Sequence, residues 1–219
     1  MQLQPHTALP ALIDRASKAL AGARTSAEIL EARDMASVIY DTAKKAARLA
    51  KAKGAHDALI AAAHRAQADA LEIEAGAKRR LADEYDAAQE RGEIVGRKGG
   101  GDSTVPQRNA ATAADIGLSR KDIHDARQIR DAENADPGIV KRTLDQAINA
   151  GKEPTKAKLR KAVDSKNAKR RQKAKARKRA AAPQETQHDR DLRMLIGVWG
   201  AACKTARQEF LRIATSEGA

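Results

Sequence analysis

Apolar positions along this chain recur in steps of three and four rather than two, the spacing that lines side chains along one face of an α-helix. In residues 1–24 a Pro-marked arm leads into a short helix with Leu9, Leu12, Ile13, Ala16 and Leu20 on one side and Gly22 at its end. Thr25-x-x-Glu28 then has the form of a capping box, in which a hydroxyl and a carboxylate satisfy two free N–H groups at a helix start. A long helix is predicted from there, with Ala32, Met35, Ile39, Ala43, Ala46 and Ala50 on one face and Gly54 as its stop. A second helix is predicted from about Ala55 to Arg91, with a stripe running from Leu59 through Ala66, Ile73 and Leu81 to Ala88. Two long helices joined by a glycine turn predict an antiparallel hairpin over residues 25–91. Its seam is mostly alanine, so each contact buries little area at about 25 cal/mol per Å². Such a seam calls for a cover. That is either a second copy of the chain, with Ile39 and Ile73 at the interface, or the chain's own remaining helices. His56 and His64, eight residues apart with no acid–His pair beside them, are read as solvated surface histidines.

Residues 92–108 break the periodicity with three consecutive glycines, Ser-Thr and Pro, which predicts a flexible linker that lets the hairpin and the helix-turn-helix unit after it reorient. The stretch GRKGGGDST lacks the spacing of a phosphate-binding loop. Residues 109–164 read as a helix-turn-helix domain. Its first helix is expected from about Ala110 to Ile116, capped by Asn109 or Thr112. Gly117 takes the left-handed turn position, Leu118 fills the space beneath, and Ser119 caps the second helix with Asp122 three residues on. Ile123, Ala126 and Ile129 then face inward. Ser119, Arg120, Lys121, His124, Arg127 and Gln128 are the candidates for reading bases, since Arg pairs bidentately with guanine and Gln with adenine. An ordinary αα corner is the competing reading.

Asp136-Pro137 is expected to open a further helix with Pro at its first position, ending at Gly151, and Pro154-Thr155 to open another. Arg130, Lys141, Arg142, Lys156, Lys158 and Arg160, with Lys169, Arg170 and Arg171 beyond, are candidate contacts to the DNA backbone. Residues 165–187 form a basic linker, read either as a charged helix extension or as disorder, and Pro183 marks a break. A last amphipathic helix is predicted within residues 188–219, with Leu192, Leu195, Trp199, Cys203, Ala206, Phe210 and Ile213 on one face. Aromatic anchors favour interfaces, so Leu195, Trp199 and Phe210 are candidate contacts to a partner, to a second copy or to the hairpin. Cys203 is read as a packing residue.

Composition sharpens this picture. The chain has 219 residues and 2% aromatics, and 49 residues are alanine, so one bulky core is disfavoured and an all-α architecture is favoured. Net charge is +13, and residues 156–179 hold thirteen Lys/Arg against Asp164, a local +12 that leaves +1 elsewhere. A concentrated polycation suits an anionic polymer, through counterion release, or an anionic membrane surface. One cysteine excludes an intrachain disulfide or a cysteine-based metal cluster and fits a reducing cytoplasm. No signal peptide or membrane-spanning run is read from the sequence, and no nucleophile–base pair, metal cluster or cofactor motif points to an enzyme.

Two stretches carry a family resemblance: GLSRKDIHDARQIRDAENADPGIVKRTLDQAINAGKEPTKAKLRKAV and, before it, ADALEIEAGAKRRLADEYDAAQERGEI. Over about residues 25–164 the chain resembles ParB-like helix-turn-helix DNA-binding proteins of plasmids and prophages. The resemblance implies a dimeric, nucleoid-associated double-stranded DNA binder, acting in transcription regulation or partition. It does not extend to the ParB nucleotide-binding domain, whose acidic-Arg-Arg signature is replaced here by Ala77-Lys78-Arg79-Arg80. A helical interaction protein, such as a phage inhibitor of a host complex with non-specific nucleic-acid binding, is the alternative.

Overall fold

Local capping chemistry sets where the helices begin. The structure, a computed structural model, describes residues 5–94, 111–181 and 186–216. Among these it holds eight helices and no strand: α1 (Pro5–Gly22), α2 (Ser26–Ala52), α3 (Asp57–Glu90), α4 (Arg120–Ala135), α5 (Ile139–Asn149), α6 (Lys156–Ala181), α7 (Gln187–Ala201) and α8 (Lys204–Ser216). At α2 the Thr25 hydroxyl accepts from Glu28 N–H at 3.2 Å, and the Glu28 carboxylate accepts from Thr25 N–H at 3.0 Å. Ser119 and Asp122 repeat the arrangement at α4, both N–H···O distances being 3.1 Å. Gly54 and Gly151 stand after α2 and α5 in left-handed conformation, as the C-terminal stop requires.

The chain divides into two units, Met1–Gln172 and Lys173–Ala219. In the first, Ile39, Tyr40 and Ala43 of α2 share a buried cluster with Ala66, Ala70 and Ala75 of α3. Ile29, nearer the start of α2, instead meets Leu81, Tyr85 and Ala88 near the end of α3. The two helices therefore run antiparallel. Helix α1 joins both clusters through Leu9, Ala16 and Leu20, and Gly76 on α3 lets Leu20 close in, to within 3.3 Å of where a Cβ would stand. The Arg80 guanidinium donates to the carbonyls of Leu20 and Ala23, satisfying groups that the end of α1 leaves open.

Ala132 of α4, Val140 and Leu144 of α5, and Leu159 and Val163 of α6 belong to the same core as the hairpin. The hairpin, α4, α5 and the first half of α6 are thus one packed body, not two domains on a flexible tether. Around residues 95–110, which lie outside the described set, the flanking chain is joined by Ala111 N–H donating to Glu93 C=O at 2.9 Å. The alanine seam finds its cover within its own chain. Ile39 is 2% exposed and so is not free to serve as an interface residue, while Ile73 is partly buried against the same core.

Several local expectations are corrected. His64 is 4% exposed rather than solvated, and its buried Nε2 has no hydrogen-bond partner. Burial, reinforced by the Lys51 charge, holds its pKa below the usual histidine value. Helix α5 begins at Ile139 behind Gly138, at φ +80°, so Pro137 precedes the helix instead of opening it. The buried Glu133 carboxylate caps that start, accepting from Gly138 N–H at 2.8 Å and Val140 N–H at 2.9 Å.

In the second unit the single predicted helix is two, because Ala202 takes extended backbone at ψ 144° between α7 and α8. Cys203 lies at that break and is exposed, so it is not a packing residue. Trp199 and Phe210 meet edge to face at 5.7 Å between ring centroids. No residue of α7 or α8 is buried. No helix among the described residues is long and apolar enough to cross a membrane.

Candidate nucleic-acid interface

The expected DNA-reading motif differs from its prediction at the first helix. Asn109 and Ala110 lie outside the described residues, and Ala113–Gly117 forms turns rather than a helix. Thr112 and Asp115 close one such turn: Thr112 N–H donates to the Asp115 carboxylate at 2.7 Å, and Asp115 N–H to Thr112 C=O at 3.1 Å. Hydrogen bonds from Thr112 N–H and hydroxyl hold the Asp115 carboxyl below its usual pKa. Gly117 takes φ +73° and Leu118 is buried beneath the turn, as its spacing predicts. A helix needs several consecutive turns to offset its nucleation cost, and one Thr-Asp turn does not supply them.

Helix α4 carries the residues expected to read bases, and its surroundings sort them. Arg127 donates to the Asp86 carboxylate and to Gln89 Oε1 at 3.0 Å, while its guanidinium lies 5.3 Å from the Tyr85 ring centre. Arg130 reaches the same Asp86 carboxylate and also the Ala82 carbonyl at 3.3 Å. Burial alone would raise the Asp86 carboxyl, but hydrogen bonds from the two arginines outweigh it and hold its pKa below the usual range. Gln128 accepts from Asn167 Nδ2 through both its main-chain carbonyl and its side-chain Oε1, each at 2.9 Å. Ser119 is spent on the cap. Of the six expected readers, Arg127 and Gln128 therefore tie α4 to α3 and α6. Arg120, Lys121 and His124, on the first turns of α4, stay exposed.

The expected backbone contacts divide in the same way. Arg130 is held by α3, and Arg142 by Asp136 and the Pro137 carbonyl. Lys156 sits 2.9 Å from the buried Glu74 carboxylate and 5.1 Å from the Tyr40 ring centre. Arg170 pairs with Asp131 at 2.7 Å, and Lys158 donates to the Glu153 carbonyl at 2.8 Å. Lys141 and Arg160 make longer, solvent-exposed pairs at 3.7–3.9 Å with Glu72, Asp145, Asp125 and Asp164. Exposed pairs of that kind stabilise little and are readily exchanged for phosphate.

Lys169 and Arg171 are exposed with no acidic partner among the described residues, and Lys173, Lys175, Arg177 and Lys178 come after them on the same helix. Residues 165–181 therefore form a continuation of α6, not a linker; Pro183, read as a break, lies outside the described residues. No acid stands between Asp164 and Glu185. Lys169/Lys173, Arg171/Lys175 and Lys173/Arg177 are spaced by four, where like charges on a helix repel by about 0.2–0.5 kcal/mol per pair. Alanines 168, 174, 176 and 180 supply helix propensity in place of packing. The result is a helix whose own charges oppose it, a condition that a polyanion relieves.

Sequence reasoning missed Asp86, Tyr85 and Gln89 on α3. Their signal is present as a polar i, i+1, i+4 group on a helix otherwise seamed with alanine, but nothing local says which arginines would meet it. No protein-family model matches this chain, and comparison with curated proteins and with solved structures found no match.

Proposed function

We propose that this protein binds double-stranded DNA, with its affinity supplied by phosphate contacts from the C-terminal half of α6. The observation that carries this reading is the exposed, acid-free run of cations from Lys169 to Lys178 on one helix. Neutralising phosphates releases condensed counterions, so such a run gives an affinity that falls steeply with salt. Arg120, Lys121 and His124 on the first turns of α4 are the groups left for base contacts, a narrower reading head than a full recognition helix. Aromatic residues make up 2% of the chain, which disfavours base stacking on single strands. Recognition of a particular operator, in regulation or partition of a plasmid or prophage, is the role that the ParB-like resemblance adds to this reading.

The test is binding to a labelled duplex across a salt series. Replacing Lys173, Lys175, Arg177 and Lys178 by Gln is expected to flatten the slope of log affinity against log salt by about 0.9 for each phosphate left unneutralised. An unchanged affinity and slope would sink the proposal. Equal binding to duplex RNA would reduce it to generic polyanion binding.

A further inference from the structure

The cations of α6 are not spread evenly around its axis. Successive residues on a helix stand about 100° apart, and residues four apart line up as ridges. Lys169, Lys173 and Arg177 make one exposed ridge, and Arg171 and Lys175 make another. Between these two lies an exposed ridge without charge, formed by Ala168, Gln172, Ala176 and Ala180. Arg171 and Lys173 flank Gln172, and Lys175 and Arg177 flank Ala176, each cation about 100° to one side. The opposite ridge holds Arg170, Ala174 and Lys178. This back side is where α6 is held, since Arg170 pairs with Asp131 of α4, and Asn167, on the same side, donates to Gln128.

Cations on both flanks of an uncharged ridge suit a rod seated between two anionic walls. A helix resting on a single row of phosphates uses one ridge of cations, not two. A helix lying on a membrane needs a bulky apolar face, and between Val163 and Ala181 the only apolar residues are alanines. The major groove of B-form DNA is about 12 Å wide and admits an α-helix, with phosphates along both rims; the minor groove, at about 6 Å, does not. From Ala168 to Ala180 the helix extends about 18 Å, the length of roughly five base pairs. We infer that the C-terminal half of α6 lies lengthwise in the major groove with Gln172, Ala176 and Ala180 toward the base edges. Arg171 and Lys175 then meet the phosphates of one strand, and Lys169, Lys173 and Arg177 those of the other. Gln172 is placed to pair bidentately with adenine, and the alanine methyls to meet the methyl group of thymine, so A·T pairs are preferred there. The inference rests on the duplex binding proposed above and adds to it a groove and a second reading edge, on α6.

Two full-chain variants of equal charge test it. Ala176→Glu puts a carboxylate on the ridge between the cations, and Ala174→Glu puts one on the back. Both positions are exposed, and retained helicity serves as the folding control. On a labelled A·T-rich duplex, Ala176→Glu is expected to weaken binding about ten-fold more than Ala174→Glu, because its carboxylate would sit between two rows of phosphates. Gln172→Ala should reduce the preference for an A·T-rich over a G·C-rich duplex several-fold. A duplex whose cytosines carry glucosylated hydroxymethyl groups, which fill the major groove, should bind the unaltered chain about ten-fold less tightly than its plain counterpart. Netropsin, which occupies the minor groove, should leave the chain bound. Equal weakening by the two glutamates, or displacement by netropsin, overturns the groove inference and leaves the phosphate contacts standing. Binding to phosphatidylserine vesicles as tight as to the duplex, and equally weakened by both glutamates, overturns it in favour of a membrane surface. A chain without salt-dependent affinity for any duplex overturns this inference together with the reading beneath it.

Discussion

Helices α4 and α6 carry the same cations in opposite surroundings. Arg127 and Arg130 on α4 converge on Asp86, a carboxylate more than forty residues earlier in the chain, and their charge is used in holding α4 to α3. Lys173, Lys175, Arg177 and Lys178 on α6 meet no acid at all among the described residues. One set is spent on architecture and the other remains available to a polyanion. A count of basic residues, or a helical wheel that marks them as outward-facing, does not separate the two. What separates them is whether a neighbouring element presents a carboxylate.

The sharpest way to break this comparison is to remove the shared acid. Asp86→Ala leaves two partly buried arginines without their carboxylate and is expected to lower stability by about 1–3 kcal/mol. The thermal midpoint should fall by roughly 2–4 °C for each kcal/mol of destabilisation. Duplex affinity should not fall, because the freed cations can only add to it; a drop in affinity with unchanged stability would place Asp86 and its arginines in the binding surface instead. The depressed pKa of Asp86 fixes the sign of the acid response. Its contribution is present above the unfolded carboxyl pKa of about 4 and is lost as pH falls through the lower folded value. Asp86→Asn should flatten that part of the acid-unfolding curve.

A milder perturbation acts on the start of α4 alone. Ser119→Ala removes the hydroxyl of its capping box and should cost about 1 kcal/mol, read from chemical denaturation. A loss near zero would mean that α3 packing, rather than the cap, decides where α4 begins.

His64 adds a third case, a group kept neutral by enclosure. Its lowered folded pKa means that the unfolded chain takes up a proton first as pH falls below about 6.5. The folded state should lose stability from there until the folded pKa is reached, and then level off. Denaturation midpoints between about pH 7 and pH 5 should show this slope, and His64→Gln should remove it. The smallest effect is expected at the head of α4, where Arg120→Ala with Lys121→Ala should reduce duplex affinity only a few-fold, by about 1 kcal/mol or less, while altering preference among sequences. An unchanged preference would confine the contacts of α4 to the phosphates.

Much of the secondary structure is legible in the sequence because its signals are local. Thr25 with Glu28 and Ser119 with Asp122 lie three residues apart, and each pair closes the cap that its spacing predicts. Gly54 and Gly151 stop helices for a reason contained in their own backbone angles. The candidate site is less legible. A helical wheel turns Arg127 and Gln128 away from the inward face of α4, but side chains of α3 and α6 meet them there. The short helix expected before Gly117 fails for the converse reason, since its residues satisfy one another within a single turn and never extend it.

By itself the sequence determined the all-helical character, most helix starts and stops, and the placing of nearly all net charge on one segment. Each of these depends on residues within a few positions of one another, where spacing is geometry. Tertiary structure alone decided that the hairpin and α4–α6 share one core, that Ile39 and His64 are enclosed, and that Asp86 captures Arg127 and Arg130. Those outcomes depend on which faces meet after folding. An alanine seam leaves many packings close in energy, so the choice among them is made collectively and is written at no single position.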